Sequence, residues 1–249
     1  MSEVLPSFPK CYKEKSWPSL FCPGCGHPIV LKMLGQVIDE LKIAHKSLLA
    51  LDIGCSLLAW DLFDVDTIQT HHGRTVPLAA GFKLAKPNGI IIAYMGDGGA
   101  YAIGLQSLLT SAHRDDKITV IVVNNTLYAM TGGQYAPTTL CDERTTTTPE
   151  GRNCQTAGIP FPGPETLSAM TTKNAYLARG SVLQPLVLKS YLKKALQHQI
   201  ENRGFSFVEA LSFCPLNWKT DAAGSIKFLE KMQNYFKVGE IKCPKISKS

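Results

Sequence analysis

The chain has 249 residues, 45% of them hydrophobic and 18% charged, and a formal net charge of +6. That length gives one large domain or two small ones with room for a full core, and no apolar run is long enough to span a membrane. The basic residues are scattered, which argues against a nucleic-acid groove and leaves an ordinary basic surface or the docking of an acidic protein partner.

The first residues lack the apolar core of a signal peptide, which predicts a cytoplasmic enzyme. In a reducing compartment disulfides are not expected, so the eight cysteines point to metal wherever they stand at ligand spacing. Residues 1–20 contain prolines and lysines and form an arm over a neighbour or over the domain surface, ahead of a single domain at 21–249. Phe21-Cys22-Pro23-Gly24-Cys25-Gly26-His27-Pro28 leads into a helix to about Leu41, with Leu31, Leu34, Ile38 and Leu41 at helical spacing. Pro23-Gly24 aims both thiols one way, and a redox dithiol, half a zinc site and half an iron–sulfur site all remain open on this motif. Ser47–Ile53 is a continuous apolar run, the pattern of a buried parallel strand, and it ends in Gly54-Cys55-Ser56. Asp61, Asp64 and Asp66 follow as a solvated acidic turn. Thr67–His71 is a further strand, closed by His72-Gly73-Arg74, and Val76–Ala85 a helix.

Ile90 to Asn125 gives a strand, the turn Gly96-Asp97-Gly98-Gly99, a helix, a strand at Ile118–Val123 and a polar tip, the make-up of a parallel βαβ unit. Gly96 and Gly98 let backbone N–H groups close on phosphate at a helix N-terminus. Asp97 would repel that phosphate unless a cation lay between them. Asp97 and the amide of Asn125, oxygen donors from two strand ends, suit Mg²⁺; a tight turn and an Asn-rich loop without ligand is the plain alternative.

Residues 126–164 show little periodicity, and so long a loop in a compact domain points to function or an interface. For its Thr145–Thr148 run, simple low complexity is an equal reading. Beyond it, Glu165–Thr172 predicts helix, Asn174–Val182 strand, Leu186–Ile200 helix, Phe205–Leu211 a strand running into Cys214, and Ala222–Phe236 a last helix before a basic tail with Cys243. The alternation predicts an α/β doubly wound, mostly parallel sheet with ligands at the strands' carboxyl ends. Cys22, Cys25, Cys55 and Cys214 then share an edge with the Gly-Asp-Gly turn, where four thiolates from three segments suit a [4Fe–4S] cluster or a structural zinc. Cys11, Cys141, Cys154 and Cys243 fall in arms and loops and are expected to be free thiols.

Cys-Pro-Gly-Cys-Gly (22–26), Ile-Gly-Cys-Ser (53–56), His-Gly-Arg (72–74), Gly-Asp-Gly…Ile-Gly (96–104), Asn-Asn-x-x-Tyr-x-Met-Thr-Gly-Gly-Gln (124–134), Pro-Thr-Thr (137–139) and Thr-Thr-Thr-Pro (146–149) together resemble the thiamine-diphosphate-binding β-type subunits of 2-oxoacid:ferredoxin oxidoreductases, nearest to the 2-oxoisovalerate/2-oxoglutarate branch. The resemblance runs from Cys22 to about Trp218 and implies the thiamine-diphosphate-binding fold. It implies Mg²⁺ on Asp97, the Asn125 side chain and the Leu127 backbone carbonyl. The diphosphate would lie on Gly96, Gly98 and Gly99, helped by Gly54, Ser56, Thr131 and Gly132, and a [4Fe–4S] cluster on Cys22, Cys25, Cys55 and Cys214. His72 and Arg74 would face the cofactor and the bound acid, whose carboxylate an arginine can pair bidentately; a helix-capping turn is the alternative for that tripeptide.

The implied activity is coenzyme A-dependent oxidative decarboxylation of a 2-oxoacid, with electrons leaving singly through the cluster to ferredoxin or a ferredoxin-like subunit. One α/β domain of this length cannot also hold the aminopyrimidine, so α-type or γ-type subunits are expected to supply that domain and the isolated chain to be inactive. Where 2-oxoglutarate enzymes of the family can carry a lysine, this chain has Gly133 and Leu57-Leu58. A branched-chain or pyruvate-like 2-oxoacid is therefore expected, with 2-oxoglutarate the alternative. The rivals are a non-oxidative thiamine-diphosphate decarboxylase or synthase, and a non-catalytic scaffold; the scaffold would be expected to lose Asp97 or Asn125, and both are present.

Overall fold

The computed structural model describes residues 8–13 and 19–244; the rest of the arm and residues 245–249 of the basic tail lie outside them. In chain order the elements are α1 (His27–Glu40), β1 (Ser47–Leu51), β2 (Asp66–Gln69), α2 (Thr75–Ala85), β3 (Ile90–Gly96), a π-helical turn (Gly99–Ile103), α3 (Leu105–His113) and β4 (Thr119–Asn124). A small hairpin of β5 (Leu127–Tyr128) and β6 (Gln134–Tyr135) follows, then α4 (Cys154–Ala157), α5 (Gly163–Met170), β7 (Tyr176–Ser181), α6 (Pro185–Ile200), β8 (Ser206–Leu211), α7 (Pro215–Trp218), α8 (Ala222–Tyr235) and β9 (Gly239–Lys242).

The main sheet runs β2-β1-β3-β4-β8-β7-β9 and is parallel except for β9, which pairs antiparallel with β7. Strands β1, β4, β7 and β8 are buried along their whole length; β1 and β4 are near-continuous apolar runs, as burial of both faces requires, whereas β7 and β8 also bury a charged pair between them. Side chains alternate between two cores. Leu49, Leu51, Ile92, Tyr94, Ile121 and Val123 meet α1, α6 and α8, while Leu48, Ala50, Ile91, Ala93, Val120 and Val122 meet α2, α3 and α5. Because β1 is followed by β2 on one side and by β3 on the other, the chain reverses its winding between β1 and β3, which is where an open α/β sheet leaves a crevice. Among the described residues no helix is long and apolar enough to cross a membrane.

Three points refine or correct the sequence reading. The first is the loop at 126–164, which is well organised although it lacks periodicity. Its ordering is polar: Arg152, 2% exposed, donates to the carbonyls of Pro137, Thr139, Ala157, Gly158 and Ile159. Within the threonine run, the Thr145 hydroxyl bonds that of Thr148 at 2.7 Å and the Thr147 hydroxyl accepts from Tyr135 N at 2.9 Å, so these threonines are structural. Second, Cys141 and Cys154 are not free thiols but form a disulfide. The backbone pairs Asp142 N with Arg152 O and Arg152 N with Glu143 O, bringing the two cysteines together; Cys11 and Cys243 are free. Third, part of the tail is the edge strand β9. The described arm residues lie on the domain itself, with Cys11 buried and Tyr12 bridging Phe63.

An ion network crosses the sheet near its carboxyl edge. Arg179 of β7 is fully buried and pairs with the equally buried Glu209 of β8 and with the half-exposed Glu165 of α5. Tyr101 donates to Glu209 at 2.6 Å and Asn124 at 3.3 Å. Replacing Arg179 with Met strands a buried carboxylate and should destabilise the chain by about 3–5 kcal/mol, measured by urea melts. Burial acts to raise the Glu165 pKa, but hydrogen bonds from Arg179 outweigh it and hold the carboxyl below its ordinary 4.5. A depressed carboxylate stabilises above its unfolded pKa and loses that contribution as the pH falls. Melting temperatures should therefore fall less steeply below pH 4.5 in Glu165→Gln than in the unmodified chain.

Candidate active site

The carboxyl ends of β1, β3 and β4 open onto a cavity of about 260 Å³ at the β1/β3 reversal. Each wall has a local cause. Gly54, with φ of +135°, adopts a backbone favouring glycine and turns the chain out of β1 toward Cys55 and Ser56. After β3, a Cβ on Gly98 would stand 2.3 Å from the Tyr128 ring and one on Gly99 1.8 Å from Asp52 Oδ2, so neither position accepts a side chain without a shift. A Cβ on Gly96 would meet nothing within 4 Å; that face is open to a ligand. The π-helical turn that follows is a geometry concentrated at functional sites.

The structure brings Gly54, Ser56, His72, Gly96, Asp97, Gly98, Gly99, Asn125, Leu127 and Thr131 to this cavity, together with Cys55. Gly132 and Arg74 do not line it. Arg74 is exposed at the start of α2 and faces separate clefts with Pro77, so within this chain it does not meet His72 across a shared pocket. Leu57 and Leu58 pack against the core, and Gly133 stands against Asn217. The positions used to read an apolar substrate from the sequence are thus not walls of the cavity; Ile53, Ile103, Leu127 and Met130 are.

Asp97 is 1% exposed. Burial pushes its carboxyl up to about 7, opposed by hydrogen bonds from Thr138 and the Gly98 amide. A carboxylate so placed calls for a cation. Asn125, also buried, stands at the end of the neighbouring strand, and its side-chain oxygen accepts from Leu127 N at 3.2 Å. Asp97, Asn125 and Leu127 therefore fit as an oxygen site for Mg²⁺.

The four motif thiols gather beside this site. Burial raises Cys25 to about 12, and the charges of Cys55, Cys214 and Cys22 push the same way. Burial raises Cys55 to about 11, with Cys214 and Cys22 adding to it. Among the described residues no three Cys, His, Asp or Glu groups converge on a single ion. Four thiols drawn from three segments are a donor set that suits a [4Fe–4S] cluster or a structural zinc.

Several site residues were missed from the sequence. His27 lines the cavity, stacks on Phe21 at 5.2 Å and shares a 2.8 Å hydrogen bond with the Tyr94 hydroxyl; burial lowers its pKa to about 3 and keeps it neutral. Asp52 is fully buried, its Oδ1 accepting from Gly73 N at 2.8 Å and Thr75 Oγ1 at 3.1 Å, which fixes the His72-Gly73-Arg74 turn. On α7, Trp218 Nε1 donates to Asn125 O at 3.2 Å and Asn217 Nδ2 to Ala129 O at 2.9 Å. A one-turn helix has no periodicity to reveal it; the apolar run Ser47–Ile53 hid the Asp52 carboxylate as a strand residue.

This crevice, with its glycine turn and buried carboxylate, belongs to a thiamine pyrophosphate-binding domain: residues 52–210 match the family described as thiamine pyrophosphate enzyme, C-terminal TPP binding domain. The ketoisovalerate oxidoreductase subunit VorA of Methanothermobacter marburgensis is 40% identical over 88% of this chain and 46% of its own length. The 2-oxoglutarate synthase subunit KorB of Methanocaldococcus jannaschii is 33% identical over 89% of this chain and 81% of its own. The 2-oxoglutarate:ferredoxin oxidoreductase from Magnetococcus marinus superimposes with a TM-score of 0.77 at 26% identity, covering 92% of this chain and 75% of that one. The chain belongs to the thiamine-diphosphate-binding β-type subunits of the 2-oxoacid:ferredoxin oxidoreductases. It spans less than half the length of the VorA relative.

The disulfide closes the part of the loop behind Thr138, which bonds Asp97. A loop of about 15 residues is worth about 3 kcal/mol in the chain-entropy account. Reduction, or Cys141→Ser with Cys154→Ser, should lower the melting temperature, and peptide mapping without reductant should recover the two cysteines as a linked pair.

Proposed function

We propose that this chain is the catalytic β-type subunit of a coenzyme A-dependent 2-oxoacid:ferredoxin oxidoreductase. The observation that carries the proposal is the convergence on one sheet edge of the Asp97 cavity and the four thiols. When bound, thiamine diphosphate supplies the decarboxylation chemistry and the [4Fe–4S] cluster takes up electrons one at a time.

The chain's own residues prepare that site. Asp97, the Asn125 side chain and the Leu127 carbonyl hold Mg²⁺, which offsets the carboxylate that burial otherwise disfavours. Gly96, Gly98 and Gly99 present backbone to the diphosphate at the start of the π-helical turn, with Gly54, Ser56 and Thr131 around it and Gly132 next in the loop behind Thr131. Cys22, Cys25, Cys55 and Cys214 hold the cluster. His72 faces the cavity on a turn anchored by Asp52, and Arg74 on the same turn meets the substrate carboxylate once a partner subunit completes the pocket.

Ile103 and Met130, 57% and 47% exposed at the cavity rim, give an α-type or γ-type subunit an apolar surface to cover while it holds the aminopyrimidine. Electrons pass on to ferredoxin or a ferredoxin-like subunit, and the assembly works in the cytoplasm. The cavity walls contain no lysine or arginine, so the second carboxylate of 2-oxoglutarate finds no strong cation on those walls. That favours a branched-chain or pyruvate-like 2-oxoacid. Relatives named for 2-oxoglutarate make that acid the second reading, decided by comparing kcat/KM for 2-oxoisovalerate and 2-oxoglutarate.

Anaerobically purified protein should show a broad visible band that dithionite bleaches; a colourless zinc protein would refute the cluster. The isolated chain should not turn over a 2-oxoacid, and adding the partner subunits should restore the reaction. Asp97→Ala should weaken Mg²⁺-dependent thiamine diphosphate binding by about 100-fold, followed by fluorescence of Trp218 beside Asn125.

A further inference from the structure

Asn217 sits on α7 between the two halves of the site. Its side-chain Nδ2 carries two hydrogens, and both are engaged: one donates to Cys214 Sγ at 3.4 Å, the other to Ala129 O at 2.9 Å. The same amide group faces Gly133, whose added Cβ would stand 3.0 Å from Asn217 Cβ. With φ of +81°, Gly133 already has a backbone that disfavours a side chain, so the Thr131-Gly132-Gly133 loop is shaped to lie on this asparagine.

We infer that Asn217 is a positioning residue that ties the thiolate of Cys214 to the Ala129–Gly133 loop and tunes the reduction potential of the cluster. The inference rests on the reading of Cys214 as a cluster ligand. Reduction adds an electron whose charge spreads onto the sulfurs, so an N–H donor aimed at a ligand sulfur stabilises the reduced form more than the oxidised one. Holding the cofactor loop with the second hydrogen of the same amide couples the seating of that loop to the donor's aim. Leucine at this position has nearly the same shape and neither donor; aspartate has the same shape, no donor and an added negative charge.

The test is an EPR-monitored redox titration of the anaerobically purified complex. In Asn217→Leu the couple should move to more negative potential, with the reduced-to-oxidised ratio at a given potential falling about tenfold, about 59 mV for one electron. Asn217→Asp should move it further the same way. Both variants should also raise deuterium uptake across residues 129–133. A cluster that loads in Asn217→Leu with an unshifted couple overturns the inference. If neither variant retains a cluster, uptake at 129–133 decides, and unchanged uptake overturns it. A wild-type complex with no iron–sulfur signal would sink the cluster assignment and this inference with it, a result separate from an unshifted couple.

Discussion

Burying carboxylates at the carboxyl edge of a parallel sheet is the constraint on which the rest of this structure depends. Asp52, Asp97, Glu143 and Glu209 are all buried there, and only Glu209 has a buried arginine against it. Burial pushes Asp97 up to about 7 and Glu143 up to about 8, and raises Asp52 as well. Such groups are tolerated because hydroxyls and backbone amides serve them: Thr138 for Asp97, Thr126 and the Leu140 amide for Glu143, Gly73 N and Thr75 for Asp52. The second oxygen of Asp52 has no hydrogen-bond partner among the described residues. The chain thus spends stability on negative charge where a cation and the amides around a diphosphate would gather, the usual relation between stability and a working site.

The same crowding explains the glycines. Gly73, Gly99 and Gly104 interleave so closely that a Cβ on Gly73 would stand 2.5 Å from Gly104 N and one on Gly104 2.5 Å from Gly99 O. The turn carrying His72 is therefore packed onto the turn that follows Asp97. Movement of either passes to the other through backbone contacts, without a mobile side chain between them.

The main strands and most helices were legible in the sequence because both faces of the sheet are covered, so Ser47–Leu51 and Thr119–Asn124 show as plain apolar runs. The glycine turn, Cys55 and Cys214 were legible because strand ends are where such a fold collects function, and Cys22 and Cys25 because of their Cys-x-x-Cys spacing ahead of α1. Elements held by polar contacts were not. The loop built on Arg152 has no periodicity, α7 is too short to have any, and nothing in the spacing of Cys141 and Cys154 reveals the backbone pairing between them. Arg74 lies outside the cavity for a different reason: adjacency to His72 in the chain does not give adjacency across a cavity when the turn between them has Gly73 at φ of +65°.

The guanidinium of Arg152 ties distant parts of the chain into one unit. The carbonyls of Pro137, Thr139, Ala157, Gly158 and Ile159 all converge on it, so the two stretches of the loop that flank the disulfide share a single buried cation. Thr138, which bonds Asp97, lies inside that unit, and the placement of the site's carboxylate is therefore coupled to a side chain well outside the cavity.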